Sequence, residues 1–313
     1  MARYIGGRLL MMAVTIVAIL TVVFFLMRAI PGDPAAYILG NYATSDAITT
    51  LRHNLGLDRP LIVQYLLYMG AALHGNLGTS IISQQPALSV VMSNLLPSIE
   101  LAVAGVAIAA AVGIPFGMLS AARHGTIVDL SVMLGALGGI SFPVFWIGLV
   151  AILIFAHALR WFPSVGAGSA GDPASQLRHL ALPALVLGLS VAAYIARLSR
   201  SAMLEVLGQD FIRTARSKGL SERAVMWRHA LRNALVPVLS VIGVTIAWAF
   251  GNAILVEIVF SRPGLGSLIL KAVSARDYPL VQAAVFVLAV AVVLINTTID
   301  VLYGIIDPRI RQA

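Results

Sequence analysis

Six predominantly apolar stretches of this chain carry no Asp, Glu, Lys or Arg over a length that crosses a bilayer, and that limits what the chain can fold into. They are residues 9–27, 101–122, 130–159, 180–196, 233–256 and 278–299. A hydrocarbon core about 30 Å thick needs roughly 17–25 helical residues. Inside it each backbone amide must be bonded within its own segment, which selects helix. Composition agrees: only 11% of the 313 residues are charged and 59% are hydrophobic, whereas a soluble globule is about 25% charged. Disordered, collagenous and disulfide-scaffold classes are excluded by the same figures. With no cysteine, thiolate metal sites and thiol nucleophiles are excluded too. The expected fold is an all-α polytopic membrane protein with six transmembrane helices.

Orientation follows from the Lys and Arg residues between those stretches. Thirteen fall on the side that holds both termini, eight of them within 197–232, and eight fall on the other side. Both termini are therefore predicted to be cytoplasmic, in a multi-pass protein of the cell (inner or plasma) membrane. Arg3 and Arg8 could instead open a cleaved signal peptide. The apolar stretch is too long for that, and no small-x-small site precedes Pro31. Gly113/Gly117 and Gly135/Gly139 each form a G-x-x-x-G face for close helix contact. Pro115, Pro143, Pro183 and Pro237 lie in or near spans, where membrane helices tolerate proline.

Three regions follow: a first helix over 1–28, an external region over 29–97, and a core domain over 98–313 containing a long internal loop at 197–235. The external region opens on Pro31-Gly32-Asp33-Pro34, a helix stop. A polar helix from Ser45, the turn Leu57-Asp58-Arg59-Pro60 and an amphipathic aromatic stretch over 61–73 follow. It reads either as a cap on the bundle or as a docking surface or gate, with Asp33, Asp58, Tyr65 and Glu257 as candidate residues.

The internal loop predicts two short helices, parted by Gly219 as a left-handed C-terminal residue, with Ser221 capping the second. Ala215, Val225 and Trp227 are expected to leave a small apolar surface inside a basic rim. A helix-turn-helix for DNA has similar turn chemistry, but the flanking spans leave no room for entering a groove. Two readings remain: a plain positively charged loop, and a protruding helix pair gripped by a cytoplasmic protein.

The string Arg213-Thr214-Ala215-Arg216-Ser217-Lys218-Gly219, followed by His229-Ala230-Leu231-Arg232-Asn233-Ala234-Leu235, resembles the EAA loop of ABC importer permeases. The branch it resembles is the dipeptide/oligopeptide and nickel one. Arg213 stands where the family motif has Glu, so the role of that Glu does not transfer. Further motifs in family order are Pro31-Gly32-Asp33-Pro34, Leu55-Gly56-Leu57-Asp58, Ser141-Phe142-Pro143-Val144-Phe145-Trp146, Trp161-Phe162-Pro163, Glu257-Ile258-Val259-Phe260, Pro263-Gly264-Leu265-Gly266 and Asp307-Pro308-Arg309. The resemblance implies the type I ABC importer permease architecture and a non-catalytic subunit. It also implies as partners a second, similar permease forming a heterodimer, two cytoplasmic ABC ATPases and an external substrate-binding protein. Phe211, Arg213, Thr214, Ala215, Arg216, Lys218, Gly219 and Leu220 would then form the ATPase-coupling loop. ATP-Mg would sit in the partner subunits, with no cofactor on this chain.

No Walker A sequence, His-Glu-x-x-His or Gly-x-Ser-x-Gly is present. Gly166-Ala167-Gly168-Ser169-Ala170-Gly171 fits a dinucleotide fingerprint by letter, but it lies in an external loop with no preceding strand. The six histidines are scattered, so no metal site and no nucleic-acid function are expected, and membrane lipid is the remaining partner. Polar residues in or beside spans are Glu100, Asn252, Glu257, Asn296 and Asp300. Ser141, Trp146, Trp248 and Asn252 are the candidate path residues, Trp248 and Asn252 being four apart on one helix face. Each is also readable as glue between helices. Peptide import leads; a nickel or other small-ligand permease and an ion-coupled secondary transporter stay open.

Overall fold

The structure is a computed structural model that describes residues 2–29, 34–39, 44–54 and 56–306. The described residues form helices, with one isolated bridge between Thr79 and Pro86. In chain order the helices are α1 (Ala2–Ala29), α2 (Pro34–Leu39), α3 (Ser45–Asn54), α4 (Leu61–Leu73), α5 (Ala87–Ala122), α6 (Ile127–Ser141) and α7 (Val144–Ala151). After α7 a π-helical turn runs Ile152–Ala158, followed by α8 (Pro173–Leu207) and α9 (Asp210–Ser217). Then come α10 (Glu222–Ala224), a second π-helical turn over Val225–Ala230, α11 (Leu231–Val259), α12 (Leu265–Ser274) and α13 (Tyr278–Ile306).

Five of the six apolar stretches lie within a single helix, but charges marked the edge of the stretch and not the end of the helix. The second begins at residue 101 in the sequence reading, yet α5 starts at Ala87 and passes through Pro97. Four helices, α1, α5, α8 and α13, are long and apolar enough to cross a membrane. The third stretch differs from the single span expected. Pro143 removes an amide donor and forces its predecessor out of helical geometry. Phe142 accordingly sits at φ −92°, ψ 135°. The segments on either side bend by 101°, as a broken span or a re-entrant loop does. Pro115, Pro183 and Pro237 lie inside continuous helices.

The chain divides into two compact units, Met1–Leu96 with Gly264–Ala313, and Pro97–Pro263. This division groups the C-terminal helices with the N-terminal ones, unlike the boundaries read from the sequence. In the first unit α1 packs along α13 and against α4, and α12 folds onto α13. Asp277 is fully buried and fastens the segment before α5. It accepts from the Ser80 hydroxyl at 2.6 Å and from the Leu280 amide at 3.2 Å, which caps the first turn of α13. The outer surface of α1 stays apolar, with Leu10, Met11, Val14, Val22 and Leu26 exposed, as a lipid-facing helix requires.

In the second unit α8 is central, packed on α6, α7 and α11. Asp172 caps it by accepting from the amides of Ala174 and Ser175, and Pro173 occupies the first helical position. Of the two glycine faces, Gly113/Gly117 is used in full. A Cβ on Gly113 would stand 2.8 Å from the Ala192 carbonyl oxygen, and one on Gly117 would clash with Ala196 and Ser199. Gly139 also faces α8, but Gly135 meets nothing within 4 Å.

Candidate functional site

The break between α6 and α7 opens a cavity of about 590 Å³ in the second unit, closed on its other sides by α8 and α11. Ser141, Phe142 and Pro143 contribute from the break, Ser190 and Tyr194 from α8, and Thr245, Trp248 and Asn252 from α11. Among the described residues no charged side chain lines it. Its three aliphatic hydroxyls are turned onto their own helices: Ser141 donates to the Leu137 carbonyl, Ser190 to Leu187 and Thr245 to Ile242, all at 2.7–2.8 Å. The Asn252 amide nitrogen donates to the Trp248 carbonyl at 2.9 Å. With those donors committed, the wall offers aromatic faces, spare oxygen lone pairs and no fixed charge. Such a wall admits polar solutes without selecting for one charge.

Three of the four path residues expected from sequence, Ser141, Trp248 and Asn252, meet in this cavity. Trp146 does not line it; it stacks on Phe142 with centroids 4.6 Å apart and remains partly exposed. Sequence reasoning missed Ser190, Tyr194 and Thr245. Helical spacing held the signal for Thr245, three and seven residues before Trp248 and Asn252 on the same face.

The loop between α8 and α11 is built by local rules. Gly219 adopts φ +79° and closes α9 with a Schellman pair: its amide donates to the Arg216 carbonyl, and Leu220 donates to that of Ala215. The Ser221 hydroxyl then accepts from the Ala224 amide. The second helix is no separate hairpin arm, because α10 runs through the π-helical turn directly into α11. Arg216 donates to Glu222 at 2.7 and 3.2 Å across the turn, and that hydrogen bond holds the Glu222 carboxyl below its usual range. Arg213 pairs loosely with Asp210, 3.5 Å away, and both point outward.

The expected apolar surface on this loop needs correction. Ala215 and Val225 are buried with Ile212, Met203, Val206 and Ala230 in a core that extends to Met118 of α5. A short amphipathic helix must bury its apolar stripe on its own chain to hold its position. What remains outside is Phe211, Leu220 and Trp227 among Arg213, Thr214, Arg216, Lys218 and Gly219.

Comparison with known proteins now decides the family. Residues 113–312 match the binding-protein-dependent transport system inner membrane component family, and residues 1–101 match the N-terminal family of the same membrane components. A Brucella suis biovar 1 chain named as a peptide permease is 44% identical, over 99% of both chains. The di/tripeptide transport system permease of Pseudomonas aeruginosa (strain UCBPP-PA14) is 38% identical over 100% of this chain and 99% of its own. This chain belongs to the binding-protein-dependent inner membrane component family. It is a permease subunit of an ABC importer, residing in the inner membrane. An inward-facing structure of the MetNI methionine ABC transporter shares its fold, with a TM-score of 0.58 at 19% identity over 71% of this chain and 98% of that one.

In the permease the external candidates separate. Asp33 lies outside the described residues, as does the Asp307-Pro308-Arg309 tail. Asp58 is exposed and bonded to His53 Nδ1 at 2.7 Å, which holds its carboxyl below the usual range. Tyr65 bonds the Thr21 hydroxyl at 2.8 Å and packs on Phe24 and Phe25, so it anchors α4 to α1. Glu257 is fully buried and accepts from the Ser98 hydroxyl, leaving no surface for docking.

One further group was not legible in the sequence. Asp129, nearly buried at the start of α6, accepts from Arg200 Nε at 2.7 Å and Nη2 at 2.9 Å, from the Ser120 hydroxyl and from the Gly125 amide. It pins the α5–α6 turn to α8, two turns before α8 enters the loop just described. Its partner Arg200 is 71 residues away, a separation that carries no local pattern.

Proposed function

We propose that this permease, as one half of a heterodimer with a second permease, forms the path for di- and oligopeptides handed over by an external binding protein. The observation that carries this reading is the uncharged, aromatic and hydroxyl-lined cavity at the α6–α7 break. Peptides share a backbone and differ in side chain, so a path for them must be roomy and indifferent to charge. A volume of about 590 Å³ falls within the roughly 300–1,000 Å³ of small-ligand sites and suits a short peptide. The names of the relatives in Brucella suis and Pseudomonas aeruginosa support the same substrate class.

The subunit itself is non-catalytic in this proposal, and ATP-Mg is bound and hydrolysed by two cytoplasmic ATPase partners. The positive-inside bias supports six crossings with both termini cytoplasmic, which places the loop from α9 to the start of α11 on the ATPase side. Phe211, Leu220 and Trp227, ringed by Arg213, Arg216 and Lys218, would seat in a groove of the ATPase. Ala215 would act from beneath, by setting how closely α9 lies on α8. The ATPase favours one arrangement of the bundle over another, and the loop carries that preference into the membrane.

Reconstituted uptake tests the reading. Labelled dipeptide should accumulate only with ATP, both ATPases and the binding protein present. Accumulation driven by an ion gradient alone would assign the chain to secondary transport. Uptake of nickel with no uptake of peptide would replace the substrate class. For the loop, Gly219→Trp is expected to leave membrane insertion intact and to separate ATP hydrolysis from uptake; normal uptake would refute the coupling role.

A further inference from the structure

The first unit holds a second cavity, about 290 Å³, bounded by α1, α4, the segment before α5 and the start of α13. Three of its lining side chains present buried polar atoms with no hydrogen-bond partner among the described residues: Arg28 Nη1, Tyr68 Oη and Gln282 Nε2. Gln282 is only 6% exposed, so its free amide cannot turn to solvent. A buried unpaired polar group is costly, and three of them on residues that line one cavity mark it as a candidate binding place.

The chemistry of the three groups defines the occupant. All are donors, and one is a cation. Burial pushes the Tyr68 phenol up to about 12, so it keeps its proton. The Arg28 guanidinium lies 3.6 Å over the Phe24 ring and spends Nε on Gln64 Oε1 at 3.0 Å, while Nη1 has no partner among the described residues. Among the described residues no Asp or Glu lines the cavity. A compact anion with several acceptor oxygens answers this set, and phosphate is the type that a guanidinium N–H together with neutral donors binds well.

Position identifies the source of the phosphate. Arg28 ends the charge-free stretch of α1, and Tyr278 begins that of α13, so the cavity sits where both helices leave the hydrocarbon. Beside it, α4 buries none of its residues and exposes Leu61, Ile62, Leu66, Leu67 and Leu73. An apolar helix lying at the end of a span, next to an arginine and a tyrosine, is the pattern of a segment resting in the membrane interface. We propose that Arg28, Tyr68 and Gln282 hold the phosphate of a phospholipid whose acyl chains run along α1 and α4. The site depends on the membrane placement of the family; with the orientation proposed above, the lipid would come from the outer leaflet.

Native mass spectrometry of the assembled importer, extracted in detergent and titrated with phosphatidylglycerol, tests this apart from any transport measurement. One retained phospholipid is expected at this site, with Tyr68→Phe and Arg28→Gln each weakening retention about tenfold. The mass of the intact complex in the same spectrum shows whether the variant still assembles, and Tyr68→Phe removes a single oxygen. Diacylglycerol, which lacks the phosphate, should not be retained. Equal retention by the variants, or of diacylglycerol, would overturn the proposal. So would occupancy by inorganic phosphate that excludes the lipid. Crosslinks from position 66 to a protein subunit in place of lipid would overturn it as well.

Discussion

Gly113 and Gly117 act through the side chain they lack. Each lets the backbone of α5 meet that of α8, and in lipid such close packing replaces the hydrophobic effect as the force between helices. Gly117→Leu should destabilise by about 1–3 kcal/mol through overpacking. Gly135→Leu, placed in open space, should stay within about 0.5 kcal/mol. Thermal unfolding of the detergent-purified complex separates the two, and equal losses would show that the α5–α8 contact is not the tight one. At Tyr65 the prediction is smaller: Tyr65→Phe deletes the bond to Thr21 and should cost about 1 kcal/mol without changing the substrates taken up. A changed substrate range would restore Tyr65 to a gate. Both glycine faces looked alike as sequence, because G-x-x-x-G encodes a capacity for contact and not the partner that uses it.

At the scale of elements, the loop from α9 to α11 was legible where its rules are local. A left-handed glycine, a serine cap and an apolar stripe can all be read from adjacent residues. The direction of the stripe could not, since only the folded chain shows Ile212, Ala215 and Val225 meeting Met118 and Met203. The Asp129 cluster was illegible for the same reason. The 101° break was half legible: Pro143 was visible, yet proline is tolerated in three other helices here, so its presence alone did not mark a break. The Arg216–Glu222 pair supports a prediction about pH. The Glu222 carboxyl is held below its usual range, so whatever the pair adds to loop stability is present above that range and fades only as pH falls through the lowered value. The pair is exposed, and its worth is under about 1 kcal/mol. Glu222→Gln should therefore leave coupling ratios between pH 5.5 and 8 unchanged; a steep loss across that window in the wild-type protein alone would contradict this.

For the molecule as a whole, the proposed function joins a cavity formed by a broken helix to a surface loop that would set the state of the bundle. The absence of cysteine from this chain makes that claim open to direct examination, because a single cysteine introduced here is the subunit's only thiol. Cysteines at Ser141, Ser190, Thr245 and Asn252 sample the cavity wall, and those at Leu137 and Leu153 sample exposed apolar positions on α6 and the turn after α7. The deciding measurement is modification of these variants by a charged, membrane-impermeant thiol reagent in the assembled importer during ATP turnover. The account predicts that the four cavity positions react, that saturating peptide with its binding protein protects them, and that positions 137 and 153 stay unmodified. Cavity positions that remain unreactive throughout turnover, or that react with no protection by peptide, would contradict it.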